Sequence, residues 1–204
     1  MQAAVPAPAG HLRSDGEIPA VVVIDTNGDG ISLTTPGEGV DFPFGHGRLG
    51  RTAWTQPGSD DAFLIRDRDR NGFVDGIGDL LGGSGPPNGF DFLRALEGWA
   101  TPADIGRAQQ STRRPDGRID RADAVMLELG LWIDENHNGR SEENELQSLS
   151  FAGFESIDLR GVEVVARDPG GNLIVEKSKA VRVRNSLRSI VDVIAVRLAA
   201  GATK

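Results

Sequence analysis

A twelve-residue segment, Asp134 to Glu145, constrains the fold more than any other stretch of the chain. It reads Asp-Glu-Asn-His-Asn-Gly-Arg-Ser-Glu-Glu-Asn-Glu, with oxygen-bearing side chains at positions 1, 3, 5, 9 and 12 and glycine at position 6. This spacing lets a short loop wrap around Ca²⁺, with position 7 offering a backbone carbonyl. The alternative is a solvated, turn-rich acidic loop. The predicted ligands are Asp134, Asn136, Asn138, the carbonyl of Arg140, Glu142 and Glu145.

A related loop follows the β-branched run from Ala20 to Ile24, which predicts a buried strand. Carboxylate or amide side chains hold its positions 1, 3 and 5, and glycine holds position 6. Pro36 occupies position 12, so a bidentate carboxylate has to come from elsewhere in the fold. The alternative is a hairpin turn. The predicted ligands are Asp25, Asn27, Asp29 and the carbonyl of Ile31.

A third loop of the same kind follows the apolar run from Ala62 to Ile65, another predicted strand. Its positions 1, 3, 5 and 9 carry oxygen side chains, and position 6 is glycine. Position 12 is Gly78, but the next residue is an aspartate that closes the ring after a one-residue insertion. The alternative is an exposed, salt-bridged loop. The predicted ligands are Asp67, Asp69, Asn71, the carbonyl of Phe73, Asp75 and Asp79.

The region from about 112 to 150 has the pattern of an EF-hand-like pair. In its first loop, aspartates fit positions 5, 9 and 12, but Thr112 and Arg114 hold positions 1 and 3, and a guanidinium repels a cation. This loop is therefore predicted to be vestigial and empty. Apolar residues between Ala122 and Ile133 recur at helical spacing, and Leu146 and Leu149 continue a helix beyond the second loop.

The rest of the chain completes an α+β prediction. Asn88 is positioned to cap a helix, and Asp168 to Asn172 forms a turn between β-like segments, while 190–198 fits a strand or a helix equally well. We predict a flexible leader at 1–18, one calcium-binding domain at 19–198 with a β-rich C-terminal part, and a tail at 199–204. The predicted C-terminal strands are Ile157–Leu159, Val162–Ala166, Leu173–Val175 and Val181–Val183.

Composition restricts the partners. The formal net charge of -8 disfavours nucleic acid and anionic membranes and suits a protein that binds cations. The absence of cysteine excludes disulfides, thiolate zinc sites and cysteine nucleophiles. The sequence has no apolar run of about 18 residues, so no membrane insertion is expected. Calcium ions are the predicted partners, and any protein partner is unknown.

Several segments, taken in order, resemble one known family. The chain is similar to the calcium-binding, self-processing module of iron-regulated RTX proteins and to related haemolysin-type calcium-binding proteins of bacteria. The resemblance implies a secreted bacterial protein whose loops become ordered when they meet external calcium. The segments that carry it are Val22–Gly30, Trp54 with Asp60–Gly72, Leu131–Gly139 and Val191–Val193.

In self-processing members of that family, calcium triggers cleavage of an Asp-Pro bond just before the first strand. The matching junction here is Ile18-Pro19, which lacks the aspartate, and the one Asp-Pro in the chain is Asp168-Pro169. We therefore predict a secreted, non-enzymatic module that binds about two to three Ca²⁺ ions. The alternatives are a calcium-dependent self-cleaving module and a calcium sensor that binds a protein partner. The chain contains only two methionines, too few to form the Met-rich groove that such sensors use.

Overall fold

β-strands dominate the structure, a computed structural model that describes residues 20–43, 49–83, 88–97, 115–184 and 187–200. One α-helix, α1 (Gly89–Leu96), lies within these ranges. The predicted leader at 1–18 and the end of the predicted tail, 201–204, fall outside them. The strands are β1 (Val21–Ile24), β2 (Val40–Pro43), β3 (Leu49–Thr52), β4 (Ala62–Ile65), β5 (Arg118–Asp120), β6 (Gly130–Trp132), β7 (Leu146–Ser148), β8 (Phe154–Asp158), β9 (Val162–Arg167), β10 (Leu173–Arg184) and β11 (Leu187–Arg197).

Nine of these strands form one antiparallel sheet in the order β5-β8-β10-β11-β1-β4-β6-β7, with β9 paired to β10. β2 and β3 form a separate hairpin. The middle strands β1 and β4 are buried along their whole length. Their sequences are continuous apolar runs because both faces of the sheet are covered.

Each face of the sheet has its own core, set by the two-residue period of the strands. Val22 and Ile24 point to one face, where they join α1 and the 3-10 turn Ala124–Leu127. Val21 and Val23 point to the other face, where the β2–β3 hairpin packs. The second core holds the aromatic cluster of Phe42, Trp54, Phe63 and Trp132.

Helix α1 begins at the predicted cap. The side chain of Asn88 accepts a hydrogen bond from Asp91 N at 3.0 Å, and Asp91 is the acidic residue of the first turn. The helix buries Phe90, Leu93 and Leu96 against the sheet. The prediction of a helix capped by Asn88 is confirmed.

The predicted EF-hand-like pair at 112–150, and with it the α+β fold class, is wrong. The described part of this region contains no helix-loop-helix, since strand β6 leads into the loop at 134–145 and strand β7 leads out of it. A 3-10 turn at Ala124–Leu127 and another at Glu143–Glu145 are its helical elements. The described residues form a predominantly β fold.

The physical reason lies in the residues of β6. Gly130 disfavours helix, Trp132 favours strand, and both pair with the buried strand β4, Gly130 with Ile65 and Trp132 with Phe63. Met126 and Leu129 are buried, so the apolar pattern marked core positions although no α-helix forms. Thr112 and Arg114 lie outside the described residues, and β5 follows them.

The β-rich C-terminal part is confirmed. The two predicted segments at 173–175 and 181–183 belong to one long strand, β10, which pairs with β11 through a hairpin. The ambiguous segment 190–198 is mostly strand β11. The predicted turn is present, since Gly171 N donates to Asp168 O at 3.0 Å and Asp168 N donates to Asn172 O at 3.0 Å.

Candidate metal-binding loops

Three loops carry the predicted ligands, and each follows a strand of the main sheet. We call them the first loop (25–36, after β1), the second loop (67–79, after β4) and the third loop (134–145, after β6). Because β1 and β6 both run antiparallel to β4, the first and third loops leave the sheet at the same end of its strands. The second loop leaves at the opposite end. It nevertheless contacts the third loop, because the backbone of Val74 and the side chain of Ser141 are hydrogen-bonded.

The third loop folds around the carboxylate of Asp134. This residue is 2% exposed. Asn138 N donates to its Oδ1 at 3.0 Å, and Gly139 N donates to its Oδ2 at 2.8 Å. Gly139 has a positive φ of 71°, and a Cβ there would lie 2.9 Å from the Val40 side chain. Glycine at position 6 is therefore required both by the backbone conformation and by the close approach of β2.

Glu145 closes the third loop from position 12. Its Oε1 accepts a hydrogen bond from Glu135 N at 3.0 Å, and its Oε2 accepts one from Glu142 N at 3.2 Å. The residue is 3% exposed, and this burial raises the pKa of its carboxyl. Positions 2 and 9 of the loop are thus both held by the side chain at position 12.

The polar side chains between these two carboxylates converge on Glu142. Asn136 Nδ2 and Asn138 Nδ2 each donate to a Glu142 oxygen at 2.9 Å. The hydrogen bond from Asn138 is the main cause that lowers the pKa of Glu142. Arg140 N donates to Asn138 Oδ1 at 2.6 Å, which turns the backbone at position 7. The structure thus brings the predicted residues of this loop together.

Two tryptophan indoles complete the third loop from the core side. Trp54 Nε1 donates to Asp134 Oδ2 at 2.8 Å, and Trp132 Nε1 donates to Glu145 Oε2 at 3.2 Å. The two rings contact each other edge to face, with centroids 5.4 Å apart. The sequence prediction missed both roles. Trp132 precedes the loop by two residues and offered a signal, whereas Trp54 is 80 residues distant from Asp134.

The second loop repeats this arrangement with a different spacing. Asp67 at position 1 accepts hydrogen bonds from Asn71 N at 3.2 Å and Gly72 N at 2.8 Å. Asp79 accepts from Arg68 N at 3.5 Å and from Asp75 N at 3.3 Å, which again are positions 2 and 9. Asp79 is 7% exposed, and burial raises the pKa of its carboxyl. The side chain at position 13 thus lies where Glu145 lies in the third loop.

The remaining predicted residues of the second loop also lie together. Asn71 Nδ2 donates to Asp69 Oδ2 at 3.0 Å and to Asp75 Oδ2 at 2.9 Å. Phe73 N donates to Asn71 Oδ1 at 2.8 Å, the equivalent of the Arg140 contact in the third loop. The ring of Phe73 is exposed, which fits a residue whose backbone carbonyl is the predicted ligand.

In the first loop, the buried carboxylate of Asp25 again holds the backbone. It accepts hydrogen bonds from Gly28 N at 2.6 Å and Gly30 N at 2.9 Å. Asn27 Nδ2 donates to Asp29 Oδ2 at 3.0 Å and to Asp60 Oδ1 at 2.7 Å. A carboxylate from outside the loop therefore lies beside positions 3 and 5, where the first loop lacks its own closing residue.

Asp61, next to it, is the most unusual acidic residue of the three sites. It is 2% exposed, and its Oδ2 accepts a hydrogen bond from Ser32 N at 2.9 Å. Its Oδ1 finds no hydrogen-bond partner of good geometry among the described residues. Burial, with added repulsion from Asp60 and Asp25, raises its pKa to about 7. The prediction named neither Asp60 nor Asp61 as a ligand, although their adjacency before β4 was a visible signal.

Two aspartates outside the three loops have a local role. In the segment predicted to be vestigial, Asp120 N donates to Asp123 Oδ2 at 3.0 Å and Ala122 N donates to Asp120 Oδ1 at 2.8 Å, contacts that form a turn. Across the described ranges, no three histidine or acidic side chains cluster as a metal site does. In the three loops, amide groups stand between the carboxylates, and backbone N–H groups hold the closing carboxylates.

A β-sheet domain with Asp/Asn-rich loops at its strand ends is the class that this geometry defines. The chain belongs to the SPM-domain family, whose sequence profile matches residues 22–196. This assignment agrees with the predicted resemblance to the self-processing module of iron-regulated RTX proteins. In the described part of the chain, no helix is both long and apolar enough to cross a membrane.

The chain is also similar to the iron-regulated protein FrpA of Neisseria meningitidis serogroup C. The two are 28% identical over 174 residues, which is 85% of this chain and 15% of FrpA. The chain therefore spans a small part of the length of this bacterial relative. The similarity supports the predicted RTX-related, bacterial class.

Proposed function

We propose that this chain is a calcium-binding module of a secreted bacterial protein, in which about two to three Ca²⁺ ions stabilise the fold. The observation that carries the proposal is the equivalence of the second and third loops. Asp79 and Glu145 occupy different sequence positions, yet both accept hydrogen bonds from the backbone N–H groups of positions 2 and 9. Two loops of different spacing therefore form the same enclosure.

The donor chemistry of the loops fits Ca²⁺. Every predicted ligand is a carboxylate, an amide oxygen or a backbone carbonyl, which are the ligands that a hard cation prefers. Beside the first loop, the buried Oδ1 of Asp61 makes no hydrogen bond of good geometry within the described residues, and the carboxylates of Asp60 and Asp25 lie close enough to repel it. A bound cation would supply positive charge where burial and repulsion now raise the pKa of this group.

Secretion is part of the proposal because of the family. Extracellular calcium-binding modules have dissociation constants of roughly 10⁻⁴ to 10⁻³ M. Loops of this affinity are free of calcium inside a cell and bind it after export. The loop carboxylates repel one another without the cation. Calcium binding outside the cell would therefore favour the folded state at the place where the protein works.

The test is native mass spectrometry of the full chain across a calcium titration. We expect two to three bound ions at millimolar calcium, by analogy with extracellular modules of about this affinity. Asp134→Asn and Asp67→Asn should each lose one ion, whereas Asp158→Asn, a control in β8 whose carboxylate pairs with Arg160, should lose none. Fewer than two ions in the wild type would contradict the proposal.

The same spectra separate this function from calcium-dependent self-cleavage. Both oxygens of Asp168 accept hydrogen bonds from Asn172, from its backbone N at 2.8 Å and from its Nδ2 at 2.8 Å. These contacts hold the carboxylate within its turn, so we expect the Asp168-Pro169 bond to stay intact in calcium. Two fragments that meet at this bond would instead make the chain a self-cleaving enzyme.

A further inference from the structure

The second and third loops meet through one side chain, although they are far apart in the sequence. The hydroxyl of Ser141 accepts a hydrogen bond from Val74 N at 2.7 Å and donates to Val74 O at 3.3 Å. Val74 is position 8 of the second loop, and Ser141 is position 8 of the third loop. Val74 is buried and Ser141 is half-buried. One hydroxyl therefore ties together equivalent points of the two loops.

The neighbours of this contact are parts of the two candidate sites. Position 7, just before it, carries the predicted carbonyl ligands of Phe73 and Arg140. Position 9, just after it, is Asp75 or Glu142, whose backbone N–H contacts the closing carboxylate of its own loop. In each loop, the contact between Ser141 and Val74 therefore lies between two predicted ligand positions.

The segment before and within β2 supports both loops in the same place. Ile77 N of the second loop donates to Pro43 O at 3.1 Å. His137 Nε2 of the third loop lies 2.8 Å from Glu38 O, and Gly139 packs against Val40. The segment at β2 therefore contacts both loops, and Ser141 joins them by a direct polar contact.

We propose that Ser141 couples the two loops, so that a calcium ion bound in the second loop raises the affinity of the third loop. This inference rests on the proposed calcium binding of both loops. A coupling carried by one net hydrogen bond corresponds to a factor of about five in affinity. By thermodynamic reciprocity, the third loop has the same effect on the second.

The experiment is a double-mutant cycle on the full chain, with calcium alone as the probe. Four proteins are compared: the wild type, Asp67→Asn, Ser141→Ala, and the variant with both changes. Tryptophan fluorescence reports the third loop, because the indoles of Trp54 and Trp132 donate to Asp134 and Glu145. In the Ser141 background, Asp67→Asn should raise the calcium midpoint of this signal about fivefold. In the Ser141→Ala background, the same change should shift it less than about twofold.

Two control variants separate coupling from general damage. Ser148→Ala removes a hydroxyl of β7 that accepts a hydrogen bond from Phe151 N at 3.1 Å, and it should leave the fivefold effect of Asp67→Asn unchanged. Ser141→Thr keeps the hydroxyl and should retain most of the effect. An equal midpoint shift in the Ser141 and Ser141→Ala backgrounds would overturn the coupling while calcium binding stands. No binding in any variant would overturn the proposed function as well.

Discussion

At the scale of single residues, the candidate sites depend on carboxylates that are buried yet oriented by backbone N–H groups. Glu145, Asp79 and Asp61 are each less than a tenth exposed, and burial raises the pKa of each. Withdrawal of a carboxylate from water is unfavourable unless hydrogen bonds or a cation compensate. Asp61 is the extreme case because one of its oxygens makes no hydrogen bond of good geometry among the described residues.

This arrangement predicts a pH dependence of stability in the absence of metal. The pKa of Asp61 is about 7 in the folded chain and 3.8 as its ordinary value, so between these values the folded state holds a proton that the unfolded state has released. The stabilisation of the folded state by the protonated carboxyl of Asp61 is fully present below pH 4 and is lost as pH rises to 7. In EDTA, we expect this residue to remove up to about 4 kcal/mol of unfolding free energy over that range.

Urea denaturation of the wild type and Asp61→Asn at pH 4.5 and pH 7 checks this prediction. The amide cannot ionise, so the variant should become more stable relative to the wild type as pH rises. Asp158→Asn serves as the control, because hydrogen bonding to Arg160 lowers the pKa of Asp158 and the sign of its effect is opposite. A stability difference between wild type and Asp61→Asn that is the same at both pH values would contradict the assignment.

At the scale of elements, the loops are placed by strands where an EF-hand uses helices. The third loop connects β6 to β7, whose pairing Trp132 with Leu146 brings positions 1 and 12 close together. Flanking helices are therefore unnecessary to close the loop, because the antiparallel ladder fixes the distance between its ends. The second and third loops then contact each other side by side, although neither belongs to a helix-loop-helix.

Helix α1 gives a test of how tightly the elements pack. Gly89 lies against the side chain of Val22, and a Cβ at Gly89 would also meet Leu81 O at 2.9 Å. Alanine is the better helix former, yet we expect Gly89→Ala to lower the unfolding free energy by about 1 to 3 kcal/mol, because the added methyl overpacks the contact with β1.

Equilibrium urea denaturation in saturating calcium measures this effect. The exposed Ala95, in the same helix, supplies the control for helix propensity. Ala95→Gly should cost about 1 kcal/mol through backbone propensity alone. If Gly89→Ala instead stabilised the protein, helix propensity would outweigh the close approach of α1 to β1.

At the scale of the whole molecule, the candidate sites join segments that are distant in sequence. The first loop follows β1 and contacts Asp60 and Asp61, which precede β4. The second and third loops join the end of β4 to the hairpin of β6 and β7. In a chain without cysteine, cations at these points would take the stabilising role that disulfides have in many exported proteins.

We therefore expect calcium to stabilise the whole fold. An ion that binds only the folded state adds about 2.7 kcal/mol per site at a hundredfold excess over its Kd, or about 5 to 8 kcal/mol for two to three sites. Urea denaturation in calcium, in magnesium and in EDTA measures this. Magnesium should stabilise much less, because it demands smaller and more regular coordination. Equal midpoints in calcium and EDTA would show that ions are not needed for folding.

The sequence by itself determined the features that depend on near neighbours. The β-branched and apolar runs at β1 and β4 predicted buried strands, and the Asx residues at position 1 of each loop bind backbone N–H groups no more than five residues away. The Asn88 cap and the turn at Asp168 are equally local. Such contacts follow from residue type and spacing, so a linear pattern reveals them.

Tertiary structure alone decided the rest. Whether 130–132 is helix or strand depended on pairing with β4, and the apolar pattern fits either outcome. The indole of Trp54 on Asp134, the carboxylates beside the first loop, and Ser141 on Val74 each join residues that are at least 29 positions apart. Burial in a shared core brings such residues together, and that burial is a property of the packed sheet that no local spacing records.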